Sequence, residues 1–234
     1  MELAAKIFED FRAYPGMQVS IDHGDRPVPE GSKDFFNRHG FLIIRNLIDP
    51  EELYQKIPKE RGKISYFGST KKFTYEPIEH QVKGSLSRYG HPKYKPTHSK
   101  IRIILQQILG EELYNTYYYD RFYFLGQDLK RHTDRAACEI SVSVQVSKSS
   151  NKPWSFCLKT LNGKEIYANL NDGDAIVYMG CEVEHWRSAL KSKYNFVFKN
   201  LRKFIREPEY HHQIFFHYVR ANGEKSHHAF DASI

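Results

Sequence analysis

The sequence predicts a mainly β fold with flanking helices, and three observations support this prediction. Short segments rich in β-branched and aromatic residues, separated by Gly, Asn and Asp turns, fill the second half of the chain. The chain contains 16 Tyr and 16 Phe, far more aromatic residues than an unfolded chain carries. Its 234 residues are enough to bury one sizeable core. We therefore expect a single domain built as a sandwich or barrel, such as a jelly roll, also called a double-stranded β-helix.

The first part of the chain, about residues 1–116, is predicted to be a helical and loop-rich elaboration. A helix is expected to begin at Ser32 and to end near Gly40, and a short strand follows at Phe41–Arg45. Asp49 followed by Pro50 is typical of the start of a second helix. Glycines and prolines scattered over residues 61–100 predict a long functional loop or lid, and the apolar spacing over residues 99–110 predicts a further helix.

The jelly-roll core is expected over about residues 117–220, where six segments have the composition of strands. They are residues 117–124, 139–146, 154–158, 166–170, 175–178 and 213–219. A basic segment over residues 191–211 interrupts this β pattern, and we expect it to be an inserted hairpin or helix.

The formal net charge is +7, and the positive charge is concentrated in two segments. Residues 59–102 contain eleven Lys or Arg against three acids, and residues 188–206 contain six against none. Such segments are either solvated loop faces or surfaces that steer an acidic partner. The sequence shows neither a leader-like N-terminus nor an apolar run long enough to cross a bilayer, and its three cysteines match no disulfide framework. We expect a soluble cytoplasmic protein without membrane association.

One group of residues has the composition of a metal site. His132 and Asp134 are two residues apart, so in an extended segment both side chains point to the same side. His185 follows after a turn and a predicted strand. Two imidazoles and one carboxylate provide three ligands on one face of a metal and leave positions open, which suits non-haem Fe(II) in oxygen chemistry.

The residues around these ligands carry a resemblance to a known family. Residues 119–141 contain Tyr123, then Gly126, then the His132-x-Asp134 pair. This pattern resembles the metal-binding region of the Fe(II)- and 2-oxoglutarate-dependent oxygenases and is most similar to their prolyl-4-hydroxylase-like branch. Residues 173–187 are similar to the segment that carries the distal histidine of that family, and residues 213–219 resemble its closing strand.

The resemblance implies a cupin-like jelly roll in which His132, Asp134 and His185 bind Fe(II) and act in catalysis. It implies 2-oxoglutarate as cosubstrate and ascorbate as an optional reductant. The implied reaction is hydroxylation of a C–H bond in a peptide side chain of prolyl type or in a small metabolite, with release of succinate and CO2.

The far carboxylate of 2-oxoglutarate needs a basic partner, for which an arginine is well suited. The family places that residue on the closing strand, ten to fifteen positions after the distal histidine, where this sequence offers only Lys199 and, on the strand itself, Gln213. We therefore predict Arg187, which lies on the same side of an extended strand as His185. The further candidates are Arg121, then Arg220 or Lys199, with the Tyr123 hydroxyl as a hydrogen-bond donor.

Other interpretations of these residues remain open. Arg187 could pair with Glu182 or Glu184 on the surface. His217 is expected in the core or beside the ligands, whereas the pairs 211–212 and 227–228 are expected to be exposed histidines. Two alternative functions are a non-catalytic jelly-roll binding module and a basic protein that stacks nucleic-acid bases on its aromatic residues. The intact ligand set argues against the first, and nucleic acid is the less favoured partner beside a small-molecule or peptide substrate.

Overall fold

Two β-sheets and three α-helices form the framework in the computed structural model, which describes residues 18–20, 31–67, 73–150, 152–192 and 208–230. The helices are α1 (Ser32–His39), α2 (Pro50–Leu53) and α3 (Lys95–Leu109). The strands of the first part of the chain are β1 (Gln18–Ser20), β2 (Phe41–Arg45), β3 (Gly62–Ser65), β4 (Thr74–Glu76) and β5 (Leu86–Tyr89). Those of the second part are β6 (Leu113–Phe124), β7 (Leu129–His132), β8 (Ile140–Lys148), β9 (Phe156–Lys159), β10 (Glu165–Ala168), β11 (Ala175–Met179), β12 (His185–Arg187) and β13 (Tyr210–Arg220).

The larger sheet has nine strands in the order β1-β2-β11-β8-β13-β6-β5-β3-β4, and the smaller one has four in the order β10-β9-β12-β7. Neighbouring strands are antiparallel except for the pairs β1–β2 and β3–β5. The mainly β fold with flanking helices is thus confirmed. None of the helices in the described ranges combines the length and the apolar character that crossing a bilayer requires.

The central strands β8 and β13 separate the main core from a polar interior. Val144 lies opposite Ile214 in their register, and both belong to the main hydrophobic core together with Leu105 of α3. Every second residue of each strand points to the other face, where Ser141 of β8 lies opposite His217 of β13. Because side chains of a strand alternate with a period of two, the same two strands cover an apolar core on one face and line a polar interior on the other.

The helix–strand–helix entrance has the local signals that predicted it. Gly40 ends α1 with a φ of 81°, a conformation that favours glycine, and its N–H donates to the carbonyl of Phe36 at 2.7 Å. The Asp49 side chain accepts the N–H of Glu51 at the start of α2, with Pro50 in the first position.

The prediction that residues 61–100 form a loop is wrong. The segment contributes β3, β4 and β5 to the edge of the large sheet, and the predicted helix over 99–110 begins earlier, at Lys95. These strands have only three or four residues each, too few for an alternating pattern to be recognised in the sequence. The basic insertion predicted over residues 191–211 lies mostly outside the described residues, but Tyr210 and His211 belong to β13.

Candidate metal centre

Three predicted ligands meet at the edge of the interior. His132 ends β7 and lies directly opposite His185 on β12, so the two imidazoles share one face of the small sheet. Asp134 follows two residues later, and its Oδ1 lies 3.6 Å from Nε2 of His132 and 3.4 Å from Nε2 of His185. The three ligand atoms all lie within 4.8 Å of one another, which is the spacing that a single metal ion requires.

Each imidazole is held by the nitrogen that would not bind a metal. Nδ1 of His132 is 2.7 Å from the carbonyl of Lys130, and Nδ1 of His185 is 3.1 Å from the carbonyl of Val183. Since a carbonyl only accepts, each Nδ1 carries a proton, and Nε2 is the nitrogen of each ring that faces Asp134. This arrangement, a backbone acceptor behind a ligating histidine, is the usual support of protein metal sites.

The carboxylate of Asp134 is positioned from behind by the chain around Gly180. The backbone N–H of Asp134 donates to the Gly180 carbonyl at 2.8 Å, and Oδ2 of Asp134 accepts a hydrogen bond from the Ser141 hydroxyl at 2.9 Å. A Cβ on Gly180 would lie 2.6 Å from that Oδ2, so only glycine leaves room for the carboxylate here. Burial would raise the pKa of Asp134, but hydrogen bonds with His132 and His185 outweigh it and hold the pKa far below the usual range.

A further histidine lies behind the ligands. Nδ1 of His217 is 2.9 Å from the hydroxyl of Ser141, which in turn contacts Asp134. Burial lowers the pKa of His217 to about 4, so the ring is neutral at physiological pH. The expectation that His217 lies in the core or beside the ligands agrees with this position, whereas nothing in the sequence pointed to Ser141 or Gly180.

The donor set fits a divalent metal of the first transition row. Two neutral imidazoles and one ionised carboxylate match the facial arrangement of non-haem Fe(II) sites. His132 has its pKa shifted by two opposing effects: burial lowers it, but the neighbouring Asp134 outweighs burial and raises it. Protons therefore compete with a metal for this ligand.

Arg187 lies inside the fold and not on its surface. Its side chain is only 2% exposed, and Nη1 donates to the carbonyl of Trp154 at 2.8 Å. The pairing with Glu182 or Glu184 considered from the sequence is absent among the described residues. Nε and Nη2 have no hydrogen-bond partner in the described part of the chain, and burial lowers the pKa of Arg187 to about 10. A buried guanidinium with two unused donors on one side is a ready binding site for a carboxylate.

Arg121 and Tyr123 also face the interior, but an acidic side chain already balances the charge of Arg121. The guanidinium of Arg121 donates through Nε to the Ser87 hydroxyl at 2.8 Å and through Nη1 to the Tyr123 hydroxyl at 3.4 Å. Its Nη2 lies 3.4 Å from Oε1 of Glu79, a carboxylate that the segment before β5 inserts into the fold. The sequence did not mark Glu79, because its burial depends on the pairing of the edge strands.

Of the remaining basic candidates, Arg220 is already paired with acidic side chains. Arg220, at the end of β13, is engaged by Glu111 at 3.0 Å and by Glu139 at 2.9 Å. Lys199 lies outside the described residues, and the interior position on β13 is held by Gln213.

The histidine pair at 211–212 corrects another expectation, because both side chains are buried. They do point to opposite faces of β13, as adjacent strand residues must: His211 contacts Trp154 in the interior, whereas His212 contacts Asp120 on the outer face. Both faces of this central strand are covered, so alternation does not place either residue in solvent.

Comparison with known proteins gives structural likenesses. No protein-family model and no curated protein matches the chain. An oxidoreductase of the 2OG-Fe(II) oxygenase family from Burkholderia pseudomallei superimposes with a TM-score of 0.57 at 12% identity, over 88% of this chain and 97% of that one. The chain has the double-stranded β-helix fold. At such low identity the likeness shows the fold alone.

Two further solved structures share this double-stranded β-helix. HygX from Streptomyces hygroscopicus, with nickel and 2-oxoglutarate bound, has a TM-score of 0.50 at 11% identity, over 81% of this chain and 86% of that one. A prolyl hydroxylase from Trichoplax adhaerens, in complex with a peptide fragment of hypoxia inducible factor, has a TM-score of 0.51 at 14% identity, over 79% of this chain and 86% of that one.

Proposed function

We propose that the protein is an Fe(II)- and 2-oxoglutarate-dependent dioxygenase that hydroxylates a C–H bond. The observation that carries this proposal is the convergence of His132, Asp134 and His185 within 4.8 Å inside a double-stranded β-helix. The buried, partly unpartnered guanidinium of Arg187 in the same interior supports it. A solved structure of this fold, that of HygX, has nickel and 2-oxoglutarate bound.

The residues of the candidate metal centre have separate proposed roles. The two imidazoles and the Asp134 carboxylate bind Fe(II) on one side and leave the other side open for the cosubstrate and O2. Bound together, these groups supply the oxidising chemistry that hydroxylates the substrate and releases succinate and CO2. The backbone acceptors behind His132 and His185 keep both rings in the metal-binding tautomer.

Arg187 is the proposed anchor for the far carboxylate of 2-oxoglutarate. A buried cation without a counter-charge is costly, and an incoming carboxylate removes that cost and satisfies Nε and Nη2 together. Arg121 is the weaker candidate, because Glu79 balances its charge and the Ser87 hydroxyl occupies its Nε. Tyr123 lies beside Arg121, and its hydroxyl is proposed to donate a hydrogen bond to the same cosubstrate.

An anaerobic titration tests this proposal without knowledge of the substrate. Metal-free protein is titrated with Fe(II) and then with 2-oxoglutarate, while the weak visible charge-transfer band of an oxo acid chelated to iron is recorded. We expect the band in the wild type and its loss in His132→Ala. In Arg187→Met the band should need at least tenfold more 2-oxoglutarate, because the anchoring charge is gone but the ligands remain.

The control is Arg131→Met, which removes an exposed arginine from the same strand as His132. It should leave both steps of the titration unchanged. Absence of the band in folded wild-type protein would overturn the proposal and favour a non-catalytic jelly-roll module. Weakening by Arg121→Met but not by Arg187→Met would move the anchor to Arg121.

The finer assignment is a peptide side chain of prolyl type or a small metabolite as substrate, with ascorbate as an optional reductant. The resemblance of residues 119–141 to the prolyl-4-hydroxylase-like branch supports the peptide, and so does the peptide bound to the Trichoplax adhaerens enzyme. Succinate release in the presence of prolyl peptides, compared with release in their absence, tests this assignment. Equal release in both conditions would contradict it.

A further inference from the structure

A second group of possible metal ligands lies directly behind the candidate metal centre. Within the part of the chain that the structure describes, sets of three ligand atoms that lie within 4.8 Å of one another occur at two places. The first is the set already assigned to Fe(II), and the second consists of Asp134, Cys138 and His217. Asp134 belongs to both sets, so the two groups are adjacent.

The local backbone brings Cys138 back toward Asp134. A short 3₁₀ turn, Ala136–Cys138, follows Asp134, and the N–H of Cys138 donates to the carbonyl of Arg135 at 2.9 Å. The side chain of Cys138 is buried, and its Sγ lies 3.1 Å from the hydroxyl of Tyr117. The turn thus places a sulfur within 4.8 Å of a carboxylate oxygen of Asp134.

His217 supplies a nitrogen lone pair to the same region. The Ser141 hydroxyl has one proton, which it donates to the ionised carboxylate of Asp134, so Nδ1 of His217 donates to the Ser141 oxygen. The lowered pKa of His217 keeps the ring neutral, and Nε2 therefore carries the lone pair. This nitrogen is buried and has no hydrogen-bond partner among the described residues. Such an acceptor destabilises the fold unless a ligand completes it.

The three donors match the ligands that Zn(II) prefers. Zn(II) binds thiolate, imidazole and carboxylate groups, and sites with three protein ligands keep a fourth position for water. Burial raises the pKa of the Cys138 thiol, so an entering ion has to displace a proton, as metals do when they bind cysteine. The thiolate that forms offsets part of the repulsion between two divalent ions that share Asp134.

Tyr117 connects this group to a cavity. The cavity has a volume of about 400 Å³, and Tyr117 is one of its lining residues together with Tyr89 and Gln81. The Tyr117 hydroxyl contacts Cys138, and its ring centre lies 4.7 Å from that of His217. The same side chain thus borders both the cavity and two of the three ligands, which gives an ion a route from solvent.

We propose that Asp134, Cys138 and the imidazole of His217 form a second metal site, which binds Zn(II) and shares the Asp134 carboxylate with the proposed Fe(II) centre. Oδ1 of Asp134 faces the two histidines of that centre, whereas Oδ2 lies on the side of Ser141 and His217. The two oxygens of one carboxylate therefore serve two ions. This site goes beyond the proposed oxygenase function and does not depend on it.

An anaerobic titration of the metal-free full chain with Co(II), a spectroscopic substitute for Zn(II), tests the proposal. A thiolate bound to Co(II) gives a charge-transfer band in the near ultraviolet, which the Fe(II) ligand set cannot produce because it contains no sulfur. We expect this band in the wild type, with two Co(II) ions bound per chain, and Zn(II) added afterwards should abolish it. Absence of the band in folded wild-type protein would overturn the proposal.

Variants identify the sulfur ligand. Cys138→Ser and Cys138→Ala should both lose the near-ultraviolet band and bind one Co(II) ion in place of two. The matched control is Cys157→Ser, which removes another buried thiol, on β9, and should keep the band. His217→Gln should raise the Co(II) concentration needed for the band at least tenfold. A band that persists without Cys138, or one that is lost only in Cys181→Ser, would overturn the proposal.

X-ray absorption at the zinc edge provides a test that needs no variant. Wild-type protein loaded with two Zn(II) ions should show an average of one sulfur ligand for every two ions, at about 2.3 Å. A spectrum with nitrogen and oxygen ligands alone would contradict the second site. A thiolate band in a protein that forms no charge-transfer band with Fe(II) and 2-oxoglutarate would support this site and contradict the oxygenase function.

Discussion

Each face of strand β6 carries a buried polar cluster. The two clusters differ in how many of their polar groups have hydrogen-bond partners. On the outer face, Asp120 accepts hydrogen bonds from Arg88 through both carboxylate oxygens, from the Tyr94 hydroxyl at 2.9 Å and from Nε2 of His212 at 2.7 Å. Arg88 also donates to the Tyr94 hydroxyl at 3.1 Å. In this outer cluster, Nδ1 of His212 is the single buried side-chain nitrogen or oxygen without a hydrogen-bond partner among the described residues.

On the inner face, the polar groups are less completely paired. Within the described ranges, Nη2 of Arg121, Nε and Nη2 of Arg187, Oε2 of Glu79 and Nε2 of His217 have no hydrogen-bond partner. Buried groups without partners destabilise a fold, and they persist where a ligand completes them. From this contrast we expect the outer cluster to stabilise the protein and the inner one to bind a ligand, as proposed above.

The strongest change in stability should follow from a substitution on the outer face. Asp120→Asn leaves the guanidinium of Arg88 buried without its counter-charge and should lower the free energy of unfolding by about 3–5 kcal/mol. Urea denaturation of the metal-free protein measures this loss. Asp128→Asn, which breaks an exposed pair with Lys130, should cost less than about 1 kcal/mol. A similar cost for both variants would show that the outer cluster has no special structural role.

The second effect concerns the inner face, where we expect a loss of metal binding rather than a loss of stability. Asp134→Asn removes the anionic ligand and should weaken Fe(II) binding at least a hundredfold, about 2.7 kcal/mol or more. The free energy of unfolding of the metal-free protein should change less than in Asp120→Asn. Competition with a chromophoric chelator measures the affinity. If the variant bound Fe(II) as tightly as the wild type, the assignment of Asp134 as a ligand would be wrong.

A smaller effect tests the support behind the ligand. Ser141→Ala removes the hydroxyl that orients Asp134 and should weaken Fe(II) binding about tenfold to a hundredfold. Ser143→Ala provides the matched control, since Ser143 lies on the same face of β8 but contacts Gln213. Equal affinities of the two variants would remove Ser141 from the metal centre.

The smallest effect concerns pH. Burial lowers the pKa of His211 to about 3 from the ordinary 6.5, with Arg187 and Lys148 contributing in the same direction. Between these values the unfolded chain binds a proton that the folded protein does not, so stability falls as the pH is lowered through 6.5 toward 3. This group contributes up to about 1.4 kcal/mol per pH unit.

His211→Gln should reduce the dependence of the free energy of unfolding on pH by that amount. Urea denaturation of the metal-free variant between pH 4.5 and pH 7.5 measures the slope. A slope equal to that of the wild type would show that His211 does not stay neutral in the folded state.

Prediction from the sequence succeeded where the signal is local. The end of α1 at Gly40 and the start of α2 at Asp49 follow from capping residues, and six core strands follow from composition, with boundaries shifted by a few residues. The structure brings His132 and Asp134 together as their spacing predicted. Prediction failed for β3, β4 and β5, since strands of only three or four residues are too short to show an alternating pattern.

The fold class and the residues that can supply metal ligands follow from the sequence, because strand periodicity and donor chemistry belong to the residues themselves. Which buried arginine lacks an acidic partner follows only from the three-dimensional arrangement of the strands. Arg121 and Arg187 have the same chemistry and are both buried, but Glu79 reaches the first and no acidic side chain in the described residues reaches the second. That difference arises from strand pairing between distant segments, which brings one carboxylate into the interior and leaves Arg187 facing aromatic rings.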